Sequence, residues 1–569
     1  MHRRILQSVL GVLATVLAVA SGAAQVQSSV TEATSVTVTT REGPVRGFTR
    51  DGVHTFLGIP YAAPPVGDLR WKAPAAPKAY DLLDATQFAK TCAQSNLLAV
   101  FTGPASIEED CLYLNIFTTG VGEDNELKPV IVWIHGGGNF TGSSNDYDGS
   151  GLAAGGSDGT PTVVVTLNYR LGLLGFLAHP AFRQESELFA NYGILDQQAA
   201  LRWVQDNIKA FGGDPARVAV GGQSGGSVNT HANVISPLSA GLFNRAIFQS
   251  APTAQFSALD AATARALAFA EAAGCAGTDA AAAACLRKLS VPRILQLQGT
   301  IKDNGPFIDP ANQNVIVDGT VIPLPVAEAY ASGNFNKMPV LGGATHDELT
   351  FVMGYQQYYS GPPPGSAETA YSSPPQKALT KDDYEGAVKQ MFGPAAPLVL
   401  AEYPVTDDDG SIFDAYNRVL ADPLQCFANL QALKVLAASV PTYGYAFTYQ
   451  DAPYFMPKMP GYRALAAHTI DIQFLFRNYH GGPLGVNLDQ STGMPRDLND
   501  EEARLSDQLI GFWTNFANTG NPNKPGTSLW PELVVEEPVL LQQDIPLATL
   551  DEAIFRTMYN CAFWESLQQ

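Results

Sequence analysis

Charge is scarce in this sequence: Asp, Glu, Lys and Arg together make up 15% of its 569 residues. Such a composition excludes a disordered chain, and the 46% of apolar residues supply a large buried core instead. Positive charge is scarcer still, with 34 basic against 54 acidic residues and a formal net charge of -20. Nucleic acid is thereby excluded as a partner, because phosphate binding needs basic surface. A neutral or cationic small molecule suits this balance better. Long hydrophobic runs are also missing, apart from one between Ile5 and about Ala20, which is shorter than the ~20 residues a membrane span needs. Two arginines precede that run and small residues follow it, the layout of a secretory signal peptide over residues 1–24. No stable membrane insertion is expected, and residues 25–569 read as a single domain of a secreted protein. The Pro-, Gly- and Ser-rich stretch from Ser360 to Gln376 reads as a surface insertion, since sheet-forming segments continue beyond it.

Cysteine is sparing but even in number, six in all, which in a secreted chain suggests three disulfides. Spacing groups Cys92 with Cys111 and Cys275 with Cys285 as short local loops and leaves Cys426 and Cys561. Other connectivities remain open on spacing alone.

What the sequence does contain is a strand and helix rhythm. The runs "PVIVWIHGGG" and "TVVVTLNYR" read as buried strands of a parallel sheet. In "GILDQQAALRWVQDNIKAFGGDP", Leu201, Val204, Ile208 and Phe211 recur at helical spacing, and Gly212 to Pro215 stop the helix. The strand "RVAVGG" follows, then another helix. Later, "PVLGGATHDELTF" and "TYGYAFTYQ" read as strands, and Ser257 to Gly274 and Asp500 to Thr519 as helices. This alternation predicts an α/β fold, a large and mostly parallel central sheet with helices on both faces.

Within it, Gly222-Gln223-Ser224-Gly225-Gly226 places a serine between a strand and a helix. That is the context of a nucleophile elbow, where flanking side chains would clash. A phosphate cradle is excluded by the missing Gly-Lys-Ser/Thr ending. Upstream, "WIHGGGNFTG" places Gly136, Gly137 and Gly138 at a strand end, where glycine amides can form an oxyanion hole, with Gly225 adding another. A serine at its free pKa needs a base and an orienting acid, in the chain order Ser, Asp or Glu, His. His346, His468 and His480 lie late enough. His346 stands beside Asp347 and Glu348, where the acid belongs; His468 is a polar residue set among apolar ones; His480 lies in a loose "NYHGG" loop.

The blocks "FLGIPYAAPPVGDLRW", "EEDCLYLNIF", "NYRLGLLGFLA", "DQQAALRWVQDNIKAFGGDPARVAVGGQSGG", "WTNFANTGNPN" and "NCAFW", together with the glycine motif, resemble the type-B carboxylesterases from about Val45 to Trp564. That family comprises carboxylesterases, cholinesterases and related lipases of the α/β-hydrolase fold. The resemblance implies a serine carboxylic ester hydrolase with Ser224 as nucleophile, Glu348 as acid and His468 as base. It implies Gly137, Gly138 and Gly225 as the oxyanion hole, the three cysteine pairs named above, and neither metal nor cofactor. Arg70 is expected to pair with Glu109 and Arg170 with Asp196, and Ser250 to lie behind the triad. The family also holds lipases and inactive binding proteins; the latter lose a triad residue, whereas all three positions are intact here.

Departures from the family's pattern stand at four places. Gln223 and Gly225 replace the usual Glu and Ala around the serine. Asn139 stands where an aromatic is common, an expected opening of the pocket, and begins the sequon Asn139-Phe140-Thr141, expected to be unmodified. Leu349 follows Glu348 in place of glycine, which keeps Asp347 as a fallback acid. The loop between Cys92 and Cys111 has one aromatic and no tryptophan, so a choline site built on cation-π contact and a large lid are not expected. The expected substrate is a soluble, fairly apolar ester.

Overall fold

The computed structural model describes residues 34–95, 105–122, 126–251, 254–298, 315–360, 377–406, 409–477, 479–480 and 485–568. The signal-peptide reading of residues 1–24 and, apart from Ser360, the insertion reading of Ser360 to Gln376 fall outside the described residues, as does half of the loop between Cys92 and Cys111. Ser35–Gln569 forms one compact unit.

Apolar runs rich in Val and Ile become strands because β-branched side chains fit a pleated, buried surface. Thirteen of them join in one sheet. In chain order they are β1 (Thr34–Thr40), β2 (Gly43–Arg50), β3 (Val53–Pro60), β4 (Leu83–Asp84), β5 (Tyr113–Thr118), β6 (Lys128–Ile134), β7 (Val163–Leu167), β8 (Gly213–Gln223), β9 (Arg245–Gln249), β10 (Val340–Thr345), β11 (Thr442–Phe447), β12 (Val539–Gln543) and β13 (Ala548–Asp551). Their spatial order is β1-β2-β3-β5-β7-β6-β8-β9-β10-β11-β12-β13, with β4 beside β2. Neighbours from β7 to β12 are all parallel. Antiparallel pairs are found towards the rims, between β2 and β3, β3 and β5, β5 and β7, and β12 and β13.

Side chains on a strand alternate between faces, so each central strand feeds two cores. Val130, Val132 and Ile134 of β6 and Val218 and Val220 of β8 pack with Leu201 and Val204 of α1 (Tyr192–Asn207) and Val228 and Ala232 of α2 (Gly225–Ile235). Ile131 and Trp133 of β6 and Ala219 of β8 point the other way, onto Leu505, Leu509, Trp513 and Phe516 of α3 (Asp500–Thr519). Helices therefore cover both faces, in the α/β-hydrolase arrangement.

The bounds of α3 coincide with the expected ones because its ends are chemically marked. Asn499 caps the first turn in a reciprocal box with Glu502, and Gly520 closes the last turn at φ 82°. Two other expectations need correction. β8 starts at Gly213 rather than Arg217: Gly213 pairs with Lys128, and the ladder resumes at Val218 after an irregularity, so the helix stop and the strand start share one bulged segment. In "PVLGGATHDELTF" only Val340–Thr345 is strand. Thr350 then donates both its N–H (3.0 Å) and its hydroxyl (2.8 Å) to the Asp347 carbonyl, and this turn starts the helix Thr350–Ser360. The cysteines pair as expected, Cys92 with Cys111, Cys275 with Cys285 and Cys426 with Cys561.

Candidate active site

β8 ends by delivering Ser224 into a conformation few side chains adopt, φ 56° and ψ -123°. Such backbone costs about 1–3 kcal/mol and persists only where the surroundings over-determine it. Here the Ser224 N–H donates to the Gln249 carbonyl at 2.9 Å, and its carbonyl accepts from Val228 at 3.0 Å. Gly226 permits the turn: a Cβ there would lie 2.0 Å from the Ile134 carbonyl oxygen. Beyond β6, Gly137, Gly138 and Asn139 all take positive φ, 102°, 60° and 64°. The loop bends back on itself, Gly137 accepting from Phe140 at 3.2 Å and Thr141 at 3.1 Å. Among the described residues, no acceptor takes the N–H of Gly137, Gly138 or Gly225. Three amide donors thus remain free around the elbow.

His468 reaches the same place from the loop after β11. Its Nδ1 hydrogen-bonds Glu348 Oε2, while Glu348 Oε1 accepts from the Thr345 N–H at 2.9 Å. The Tyr454 hydroxyl donates to the His468 carbonyl at 2.7 Å. Burial opposes protonation of the imidazole, but the Glu348 carboxylate outweighs it, and the pKa is raised from its ordinary value. Gln223 Nε2 lies 3.2 Å from His468 Nε2 and 3.4 Å from Nδ1. Near-equal distances to both ring nitrogens put the amide over the ring face, and this contact places His468 beside the elbow. Asp471, three residues on, is buried, with the Gln249 amide as a nearby side-chain partner. Burial, and then the nearby Glu348 charge, push its pKa up to about 7.

A charge at position 223 would act directly on His468. A general base works in its neutral form, and a carboxylate this close favours the imidazolium. Gln223→Glu is therefore expected to move the acid limb of the kcat/KM pH profile upward by about 1 unit, with loss of rate at mildly acid pH. An unmoved or downward-shifted limb in a pH–rate titration would refute the contact.

The other expected residues separate into supporting roles. Asp347 is turned away from His468: it accepts from Asn417 Nδ2 (2.7 Å), Gln450 Nε2 (2.8 Å) and the Ala466 N–H (3.1 Å), and pairs with His346 Nδ1 at 2.9 Å. His346 is spent in that pair. Asn139 has its side chain buried against Asn229, and the ring of Phe140 lies over Gly138, 2.6 Å from where a Cβ would stand. An aromatic covers the loop after all, from the next position. Arg70 donates to Glu109 at 2.6 Å and to the Leu289 carbonyl at 2.6 Å; Arg170 grips Asp196 at 2.7 and 2.8 Å. Ser250 has φ 55° and a buried hydroxyl without a partner among the described residues. Asn229, Tyr169 and Asp471 escaped the sequence reading; only Asp471, one turn after a candidate histidine, carried a signal that could have flagged it.

Residues 34–564 match the carboxylesterase family. The chain belongs to that family. Among characterised carboxylesterase relatives, a fumonisin B1 esterase of Sphingopyxis macrogoltabida is 36% identical over 86% of this chain and 83% of its own length. A mouse acylcarnitine hydrolase is 34% identical over 87% and 84%, and human cocaine esterase 33% over 86% and 83%. A solved thermophilic PNB esterase superposes with a TM-score of 0.70 at 30% identity, covering 92% of this chain and 99% of that one. This carboxylesterase is accordingly an ester hydrolase of the α/β-hydrolase fold. No helix among its described residues is long and apolar enough to cross a membrane.

Proposed function

We propose that the chain is a secreted serine carboxylesterase in which Ser224 is the nucleophile, His468 the general base, Glu348 the orienting acid, and Gly137, Gly138 and Gly225 the oxyanion hole. The observation that carries this reading is His468, held at Nδ1 by Glu348 and lying against Gln223, the neighbour of a serine kept in strained backbone. With Nδ1 so engaged, Nε2 is the nitrogen left to take the Ser224 proton. Ser224 Oγ attacks the ester carbonyl carbon, and the oxygen of the tetrahedral intermediate rests on the glycine N–H groups. His468 returns the proton to the departing alkoxide, which leaves as alcohol. Water then repeats the sequence on the acyl-enzyme: His468 takes its proton, hydroxide adds to the carbonyl, and Ser224 Oγ departs with the proton as the acid is freed. Secretion is supported by the three disulfides, which persist in oxidising compartments.

For the substrate, a neutral or cationic, fairly apolar ester is favoured by the net charge of -20. The names of the relatives span acylcarnitine, pyrethroid and cocaine, and this breadth suits an accessible pocket. Incubation with a fluorophosphonate followed by peptide mass mapping is expected to find the adduct on Ser224. Hydrolysis of p-nitrophenyl esters is expected to favour dissolved short acyl chains over long-chain triglyceride emulsions. An adduct elsewhere, or strong activation by the emulsion, would overturn the respective half of the reading.

A further inference from the structure

The oxyanion loop of this chain is fastened by a pair of asparagines. Asn139 Nδ2 donates to Asn229 Oδ1 at 3.0 Å, and Asn229 Nδ2 donates to Asn139 Oδ1 at 2.7 Å. Two antiparallel bonds between planar amides fix orientation as well as distance, which a single bond does not. Both side chains are buried, at 1% and 0% exposure, so water does not compete for them. Asn139 Oδ1 also accepts from the Tyr169 hydroxyl at 3.2 Å; that hydroxyl lies 2.9 Å from the His135 carbonyl, and the Tyr169 ring stacks on His135 with centroids 4.5 Å apart. The Asn139 carbonyl accepts from the Gly172 N–H at 2.7 Å. Asn229 belongs to α2, whose first residue is Gly225. One amide pair therefore joins the loop that carries the N–H groups of Gly137 and Gly138 to the helix that carries the N–H of Gly225.

The sequence at both ends fits this task. Position 139 has φ 64°, a region that asparagine tolerates better than other residues with a side chain, apart from aspartate. At the other end, a Cβ on Gly225 would lie 2.8 Å from the Gly138 nitrogen and 3.2 Å from the Asn139 nitrogen. The loop is thus seated closer to the helix than an alanine would allow. We propose that Asn139 and Asn229 are positioning residues that hold the oxyanion-hole donors of the loop in register with that of Gly225, and that glycine at 225 is the counterpart of this tighter seat. The proposal rests on Ser224 and the glycine amides serving as described above. Neither asparagine touches substrate; they act through the donors. The burial of Asn139 also supports the expectation that its sequon stays unmodified.

The test compares wild type with Asn229→Asp, Asn229→Ala and Gly225→Ala on p-nitrophenyl butyrate. Asn229→Asp keeps shape but replaces a donor with an acceptor, Asn229→Ala removes the partner, and Gly225→Ala pushes the loop from the opposite side. Each variant that remains folded at the assay temperature by circular dichroism is expected to lose about 10- to 100-fold in kcat, with KM within about 2-fold, since displaced donors are felt in the transition state. Affinity for a trifluoromethyl ketone analogue of the ester should fall by the same factor. Fluorophosphonate should still label Ser224. Rates within about 2-fold of wild type in the folded variants, or a loss of rate with unchanged analogue affinity, would overturn the pair while leaving the nucleophile standing. Failure to label Ser224 in wild type would overturn the reading of the site and the pair with it. Should both Asn229 variants fail to fold, Gly225→Ala decides alone by the same two readouts.

Discussion

Ser224→Ala is expected to lower kcat on p-nitrophenyl acetate and butyrate by about four to six orders of magnitude, the loss seen when a hydrolase of this kind is left without its nucleophile. The free amides of Gly137, Gly138 and Gly225 would survive the substitution, so a residual rate above water of about 1000-fold or more should remain from the oxyanion hole and binding. KM should change little, because Oγ contributes to bond formation more than to holding the ester. Stability should be close to wild type: alanine keeps the Cβ, and the bonds that pin the elbow run through the backbone, from Ser224 N–H to Gln249 and from Val228 to the Ser224 carbonyl. Equal rates for the two proteins, measured with purified and folded samples, would remove Ser224 from the chemistry and revive the reading of the chain as an inactive binding protein.

Legibility in the sequence followed how local each physical cause is. The elbow could be read because its signal lies within five consecutive residues, glycines flanking a serine between a strand and a helix, although the group that Gly226 admits, the Ile134 carbonyl, belongs to distant β6. Helix α3 could be read to the residue because Asn499, Glu502 and Gly520 are its own end signals. The start of β8 could not, since its first pairing, Gly213 with Lys128, is with a strand distant in sequence and is followed by a bulge. Side-chain direction was hidden for the same reason. Asn139 read as a gap in the pocket wall, whereas the partner that turns it inward, Asn229, lies 90 residues later on another element. Asp347 and Glu348 are adjacent carboxylates, and no local rule says which one meets a histidine 120 residues away. The bridge between Asp347 and Ala467 decides it, by laying the loop of Glu348 alongside that of His468 in one register.

That register yields the second large effect. Glu348→Gln is expected to cost about 10,000-fold in kcat, as when the acid of a Ser-His-Asp system is replaced by its amide and the imidazole is held in the wrong tautomer. The amide keeps the shape, and Thr345 can still donate to its oxygen, so the thermal midpoint should move little. The residual activity should also carry a signature. Glu348 is the charge that raises the pKa of His468 against burial, so its loss should shift the acid limb of the pH profile to lower pH. Asp347→Asn is expected to behave in the opposite way. Its carboxylate receives Asn417, Gln450, the Ala466 N–H and His346, and an amide nitrogen would have to face donors on at least one side. An unsatisfied buried donor costs about 1–3 kcal/mol, so the midpoint should fall by several degrees while kcat drops by no more than about 10-fold. Reading both variants by kcat and by thermal melt separates the acid from its support. Loss of rate at unchanged stability in Asp347→Asn, with near-normal turnover in Glu348→Gln, would assign the acid to Asp347 and displace Glu348 from the proposed triad.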